Sequence, residues 1–345
     1  MQSDVMERHT GNTKTRTPKS GVLVVIPTLN EESHIEACIR SLMAGAETLR
    51  VVPMVVADGG STDRTVQIVE SLKDEFPNLI LLNNPKRVQS AAVNLAVEAH
   101  ASDDISYLVR CDAHSIYPPD FITSVVETMR STSAASVVVP MDAIGTTCFE
   151  KANAWVSNTI LGSGGSAHKA GQKSGYVDHG HHAGFDLSVF RQVGGYDATF
   201  SHNEDAEYDA RVARQDGRIY LDADIRIQYV PRGSVIALAK QYFNYGKGRA
   251  RTARKHKEPL KLRQALPIIA FLVSVISMAA APFIWWTVVF PLAYLAVLSA
   301  ASIVIAVQKR SLCGLLAGVA SMAIHMSWAA GFLRETVLPH RPVTA

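Results

Sequence analysis

The residues best suited to chemistry are carboxylates placed where apolar runs stop. Val55-Val56-Ala57 ends in Asp58-Gly59-Gly60-Ser61-Thr62-Asp63, and Leu108-Val109 leads through Arg110-Cys111 to Asp112-Ala113-His114. A third acidic pair, Glu204-Asp205, follows His202-Asn203 in a polar turn. Acids at the carboxyl ends of parallel strands sit where an open α/β sheet takes its ligand. Asp58 can accept hydrogen bonds from a base or ribose, and Gly59 and Gly60 let backbone approach a ligand; capping the following helix is a role that suits Asp63 better. Asp112 and His114 are two apart in an extended run and leave on one side. A carboxylate there suits Mg²⁺ or Mn²⁺ sharing its shell with diphosphate oxygens. His114 either ligates Mn²⁺, hydrogen-bonds a phosphate, or is structural. Glu204 and Asp205 either cap a helix or form a close pair with one pKa raised towards general-base range.

Lys86 and Arg87 precede a helix expected from Gln89, where cations suit a phosphate; surface solvation is the plainer role. Asp178, His179, His181 and His182 cluster, but adjacent histidines lack the spacing of a helical zinc site. Contact with an acceptor or a phosphate is the alternative.

These residues need a scaffold of alternating strands and helices. Val22–Pro27 is a continuous apolar run, as in a strand buried on both faces. Ile35, Cys38, Ile39, Leu42 and Met43 then recur at helical spacing. Further strands are expected at 52–57, 79–82, 107–111 and 137–139, with helices after Asp63 and over 89–99, which implies a doubly wound, mostly parallel sheet. From Thr147 to His182 the pattern breaks, and Gly162–Gly165 and Gly171–Gly175 predict loop. Helices resume at about 187–193 and 205–215.

The 345 residues allow one α/β domain and an appendage. Charge is absent from Gln264 to Gln308 and from Ser311 to Phe332. The first of these runs would extend about 68 Å as one helix against a hydrocarbon core of about 30 Å, so two crossings fit it. Pro282, Trp285 and Trp286 mark its turn. Three membrane helices are expected, at 266–284, 287–307 and 312–332, preceded by a basic segment over 247–265 and followed by a tail over 334–345. Lys247, Arg249, Arg251, Arg254, Lys255, Lys257, Lys261 and Arg263, together with Lys309 and Arg310, place both basic flanks in the cytoplasm, so that the first span exits and the second returns. His325 then faces another helix. Residues 1–20 are polar, lack a signal-peptide core and predict a disordered leader. The four cysteines are widely spaced and predict packing as free thiols in a reducing compartment.

With these motifs in order, the chain resembles family 2 glycosyltransferases, which are inverting enzymes of GT-A fold, and especially those that act on lipid-linked sugars in succinoglycan biosynthesis. The resemblance implies a GT-A domain over 21–246. It assigns the donor nucleotide to Pro27, Thr28, Leu29, Glu31 and Asp58, the diphosphate to the stretch beginning at Lys86-Arg87, and the metal to Asp112 with His114, where the family pattern has a second Asp. Asp205 becomes the catalytic base. His181, His182, Glu204, Gln241, Tyr245 and Arg249 fall on the acceptor or diphosphate side. Gln241 to Arg249 occupies the place of the processive synthases' Gln-x-x-Arg-Trp but lacks the Arg-Trp, which disfavours a polymer-extruding enzyme. The implied reaction moves one sugar, glucose from UDP-glucose in β-1,3 linkage, onto a polyprenyl-diphosphate-linked saccharide, with Mn²⁺ or Mg²⁺, on the cytoplasmic face of the inner membrane. Membrane lipid is an expected partner and nucleic acid is not. Two rivals are an oxidoreductase, which would show Gly-x-Gly-x-x-Gly after the first strand where this chain has Thr28-Leu29-Asn30-Glu31, and a non-catalytic membrane scaffold, in which the acids need not converge.

Overall fold

A computed structural model describes residues 21–44, 47–164 and 173–339. The leader expected over 1–20 lies outside them, as do parts of the glycine-rich stretch and of the tail. Strands β1 (Gly21–Thr28), β2 (Met54–Asp58), β3 (Leu79–Asn83) and β4 (Ile105–Arg110) form the parallel half of an eight-stranded sheet in the order β3-β2-β1-β4. The other half adds β9 (His181–Asp186), β6 (Ser136–Val139), β10 (Ile219–Leu221) and β8 (Gly175–Val177). A small second sheet joins β5 (Ser115–Ile116), β11 (Ile227–Tyr229) and β7 (Met141–Ala143).

Alternation along β1 explains the layering. Val24 and Ile26 face one way, onto Ile35, Cys38 and Ile39 of the helix Ile35–Met43 and Phe121 and Val125 of the helix Phe121–Thr132. Leu23 and Val25 face the other way, onto Val93 and Val97 of the helix Gln89–His100 and onto Phe185, Phe190 and Tyr208. Both faces are dry, so the strand is apolar throughout, and each buried aliphatic side chain contributes roughly 1.5–3 kcal/mol.

The sheet is mostly parallel, as expected, with β9 running antiparallel between β4 and β6; its sequence, His-His-Ala-Gly-Phe-Asp, has no β-branched residue and is held by its neighbours. Two expectations are corrected. The segment after Thr147 is not all loop, because the helix Cys148–Ser157 starts there on a capping box. Thr147 Oγ1 accepts from the Glu150 backbone N–H at 3.3 Å, and Glu150 Oε2 accepts from that of Thr147 at 3.0 Å. The cysteines are not all free either. Cys38 and Cys111 are buried thiols, but Cys148 is disulfide-bonded to Cys313, their Cα atoms 4.9 Å apart across 165 residues.

Beyond the sheet, one helix runs from Val235 to His256 and carries most of the basic segment. Three segments long and apolar enough to cross a membrane follow, Leu262–Ala280, Trp285–Gln308 and Leu312–Val337. Trp285 and Trp286 are exposed in a turn between the first two helices.

Candidate active site

A cleft opens at the carboxyl end of the parallel strands. Pro27, Thr28, Leu29 and Glu31 line it from β1, Gly59 from β2, Asn84, Arg87, Val88, Gln89 and Ala92 from the turn and helix after β3, and Asp112, Ala113 and His114 from the segment after β4. The sequence-predicted Pro27, Thr28, Leu29, Glu31, Asp112 and His114 are thus brought together. Lys86 is exposed and lies outside this lining, and Arg87 supplies the cation. Arg87 takes the left-handed conformation (φ 58°), and its guanidinium donates to the carbonyl of Gly60 at 3.4 Å, closing the turn after β2 over the cleft.

Asp58 is buried behind that turn. Its carboxylate accepts from the backbone N–H groups of Gly60 (2.9 Å) and Ser61 (3.0 Å) and from the Ser61 hydroxyl (2.5 Å). The turn is organised by Asp58, while Asp63 accepts from the backbone and hydroxyl of Thr65 at the next helix, as its spacing predicts.

Asp112 sits between imidazoles and a guanidinium. Its Oδ2 is 3.5 Å from His181 Nε2 and its Oδ1 4.0 Å from Arg110 Nε. Burial opposes its ionisation, but His181, Arg110 and His114 outweigh burial and hold its pKa below the usual carboxylate value. His181 is the reverse case. Burial pushes its pKa down to about 4 against the pull of Asp112, so the ring is neutral near pH 7 and keeps a lone pair. His114 Nδ1 is 3.2 Å from Glu31 Oε1, which fixes that ring from the other wall of the cleft.

Arg110 was not anticipated as a site residue. Its guanidinium is almost wholly buried and donates to Asp205 Oδ1 at 2.6 Å and to the Tyr196 hydroxyl at 2.9 Å. The Tyr196 hydroxyl in turn donates to the same Oδ1 at 2.6 Å. Burial raises the pKa of Asp205, but Arg110, His182 and His181 overcome it and push it well below normal. Glu204, next to it, has no such donor. Burial, followed by the charge of Asp205, lifts it to about 7. An arginine at the end of an apolar strand was the available signal, since a cation so placed needs an acid partner.

Local structure aims this pair. The helix Glu204–Ala213 begins after Asn203, which is left-handed (φ 66°) and donates through Nδ2 to Thr252 Oγ1 at 2.8 Å. Tyr196 is pinned by Asn94, whose amide exchanges hydrogen bonds with its backbone at 2.7 and 2.9 Å.

The remaining histidines divide. His182, expected on the acceptor side, is fully buried on the far side of β9, 2.7 Å from Asp209 Oδ1 and stacked on Phe185. That assignment is corrected: alternation along the strand sends His181 to the site and His182 to the core. His179 lies 2.5 Å from Asp209 Oδ2. Tyr245 lies near His202 with ring centroids 6.2 Å apart and accepts from Gln241 at 3.1 Å. Arg249 pairs with Glu258 at 2.9 Å.

Residues 23–194 match the model of "Glycosyl transferase family 2". The chain is 44% identical over 315 residues, 91% of its length and 94% of the relative's, to "Succinoglycan biosynthesis protein ExoA" of Rhizobium meliloti (strain 1021). It is 26% identical over 244 residues to a dolichyl N-acetyl-alpha-D-glucosaminyl phosphate 3-beta-D-2,3-diacetamido-2,3-dideoxy-beta-D-glucuronosyltransferase of Methanococcus voltae, covering 68% of this chain and 74% of that one. Among solved structures, the mannosyltransferase PcManGT from Pyrobaculum calidifontis, in complex with GDP-Man and Mn²⁺, superposes over 94% of this chain and 89% of its own, with a TM-score of 0.57 at 17% identity. The chain belongs to glycosyl transferase family 2 and has the mixed α/β, GT-A-like fold, followed by three apolar helices.

Proposed function

We propose that the protein transfers one sugar, glucose from UDP-glucose, to a lipid-linked saccharide on the cytoplasmic face of the inner membrane, inverting the anomeric centre, in the assembly of a succinoglycan-type exopolysaccharide. The observation that carries this reading is the Arg110 bridge. Arg110 reaches Asp205 at 2.6 Å and Asp112 at 4.0 Å, which links the acid proposed for proton transfer, through one side chain, to an acid that lines the cleft. A scaffold without turnover has no need of that convergence. The relative's role in succinoglycan biosynthesis supports the pathway, and the apolar helices support a lipid-linked, polyprenyl-diphosphate acceptor.

In this reading Pro27, Thr28, Leu29 and Glu31 take the nucleoside, the Asp58 turn shapes its floor, and Arg87 meets the diphosphate. Among the described residues no three His, Cys, Asp or Glu side chains form a metal cage by themselves. Asp112 still provides a carboxylate oxygen that suits Mn²⁺ or Mg²⁺ when diphosphate oxygens complete the shell, while neutral His181 at 3.5 Å and His114 offer imidazoles that favour Mn²⁺ over Mg²⁺. A bound divalent cation supplies positive charge against the departing diphosphate.

Asp205 takes the proton from the acceptor hydroxyl as its oxygen attacks the anomeric carbon and the carbon–oxygen bond to the diphosphate breaks; an α-linked donor then gives a β-linkage. Arg110 and Tyr196 occupy Oδ1 and leave Oδ2 for the acceptor. Arg110 keeps Asp205 ionised at the cost of some basicity. Glu204 is a second reading for the base, favoured by its pKa of about 7. Membranes holding the protein are incubated with labelled UDP-glucose, UDP-galactose or GDP-mannose and Mn²⁺ or Mg²⁺, and label in extracted lipid is counted. Label from UDP-glucose alone, absent with Asp205→Asn, is the expected result. Label that survives Asp205→Asn and disappears with Glu204→Gln moves the base to Glu204.

A further inference from the structure

Beside the cleft stands a cation that the proposed mechanism does not use. After Tyr229 the chain continues as Val230-Pro231-Arg232-Gly233-Ser234 and enters the helix Val235–His256. Its backbone is fixed there. Buried Asn153 donates through Nδ2 to the Arg232 carbonyl at 3.1 Å, a Cβ on Gly233 would stand 2.8 Å from Glu150 Oε1, and Ser234 Oγ accepts from the Ala237 N–H at 3.2 Å. Arg232 itself is exposed and, among the described residues, forms no ion pair.

Register brings that cation to the site. Strand β11 pairs antiparallel with β5, Gln228 opposite Ile116 and Tyr229 opposite Ser115, so the chain beyond Tyr229 runs beside Asp112-Ala113-His114. Burial lowers the pKa of His114, Glu31 and Asp112 more than reverse that, and the charge of Arg232 acts against them. Burial, then the charges of Lys247 and Arg232, hold the pKa of His202 below its ordinary value. His202 leads into Asn203, Glu204 and Asp205, so this one guanidinium stands between the cleft wall and the turn carrying the acids.

Its surroundings are apolar. Paired residues share a face of a sheet, which puts Ile116 with Gln228; alternation adds Val230, and the pairing of Tyr229 with Ala143 carries Ile144 opposite Val230. Ile116, Ile144 and Val230 are all exposed, as are Val235 and Ile236 (82%) in the first turn of the helix. One turn further, Leu238 packs with Ile305 and Ala317, which lie on either side of exposed Lys309 and Arg310. An unpaired guanidinium ringed by aliphatic side chains, next to the charged end of the apolar hairpin, fits an amphiphile with an anionic head. A sugar nucleotide has nothing for the aliphatic ring to cover, whereas a lipid diphosphate matches both parts.

We propose that Arg232 binds the diphosphate of the lipid-linked acceptor, with Val230, Val235 and Ile236 against its first isoprenyl units, so that the sugar beyond the diphosphate is directed towards Asp205. This rests on the proposed transfer to a lipid-linked saccharide and is independent of which donor sugar is moved.

The full chain in detergent is titrated with farnesyl diphosphate and, as an uncharged control, with farnesol. Arg232→Gln is expected to weaken farnesyl diphosphate by about tenfold or more and to leave farnesol unchanged, with Arg232→Lys between the two. Ile236→Ser should weaken farnesyl diphosphate but not inorganic diphosphate. An unchanged melting temperature in each variant shows that the fold is kept. Equal farnesyl diphosphate affinity in the parent and in Arg232→Gln overturns the proposal. So does a matching loss for whichever of UDP-glucose, UDP-galactose and GDP-mannose the parent binds, which moves Arg232 to the donor diphosphate. Failure of the transfer reading looks different: no donor binds or turns over, while Arg232-dependent binding of farnesyl diphosphate persists and the lipid-diphosphate site stands.

Discussion

Among the described residues Asp205 takes two donors on Oδ1 and none on Oδ2, which suits the base role proposed for it. Replacing it with asparagine should leave donor binding intact while turnover falls by ~10²–10⁴, measured by calorimetry with UDP-glucose beside the transfer assay. Asp112→Ala should act differently, weakening metal-dependent donor binding; equal donor affinity with and without Mn²⁺ in both proteins would remove Asp112 from the metal. Glu204 makes a prediction in pH. An unfolded glutamate titrates near 4.5 and this one at about 7, so between those values the folded state binds more protons than the unfolded. Stability contributed at this position therefore falls as pH rises through the window, and the full penalty is present above pH 7. Glu204→Gln should be more stable than the parent at pH 8, by about 1–3 kcal/mol, with the gain vanishing at pH 4.5. A thermal melt in detergent at both pH values checks it. Asp112 and His114 were visible in sequence because they close a patterned run, and Asp205 because the Glu-Asp pair at a helix start fits the family resemblance. Arg110 was passed over because its partner lies 95 residues away and no local pattern announces a long-range ion pair.

At the scale of elements, turns with unusual backbone hold the site. Gly195 is left-handed (φ 66°), and a Cβ there would stand 2.6 Å from Asn94 Oδ1, the atom that receives the Tyr196 N–H. Gly195→Ala should cost on the order of 1–3 kcal/mol and loosen Tyr196 from Asp205, lowering turnover more than donor affinity; an unchanged melting temperature would show that the turn relaxes freely. The parallel strands were legible because burial on both faces writes a continuous apolar run. Strand β9 was not, since its hydrogen bonds come from β4 and β6 and its own residues have weak strand preference. The helix after Thr147 did leave a signal, Thr-x-x-Glu, which the glycines further along obscured.

At the scale of the whole molecule, composition separated the sheet domain from the apolar region, because absence of charge over 45 residues needs no partner to interpret. It could not say how those helices lie, since length and hydropathy are the same for a helix across a bilayer and one along it. Contacts from those helices do reach towards the site. The helix Val235–His256 is gripped on one side by the C-terminal helix through Gly246 and Gly331, and on another by Asn203 through Thr252. A chain ended at residue 261 should therefore express as a poorly soluble protein with transfer lost, because Leu238, Tyr242 and Phe243 lose their cover. Full activity in such a fragment would sink the idea. The bond from Thr252 to the residue before Glu204 has a broader meaning. Under the function proposed above, lateral pressure in the lipid, its headgroup charge, or the choice of detergent would reach through one helix the turn that carries the acids, making the membrane a mechanical wall of the reaction chamber as well as its anchor.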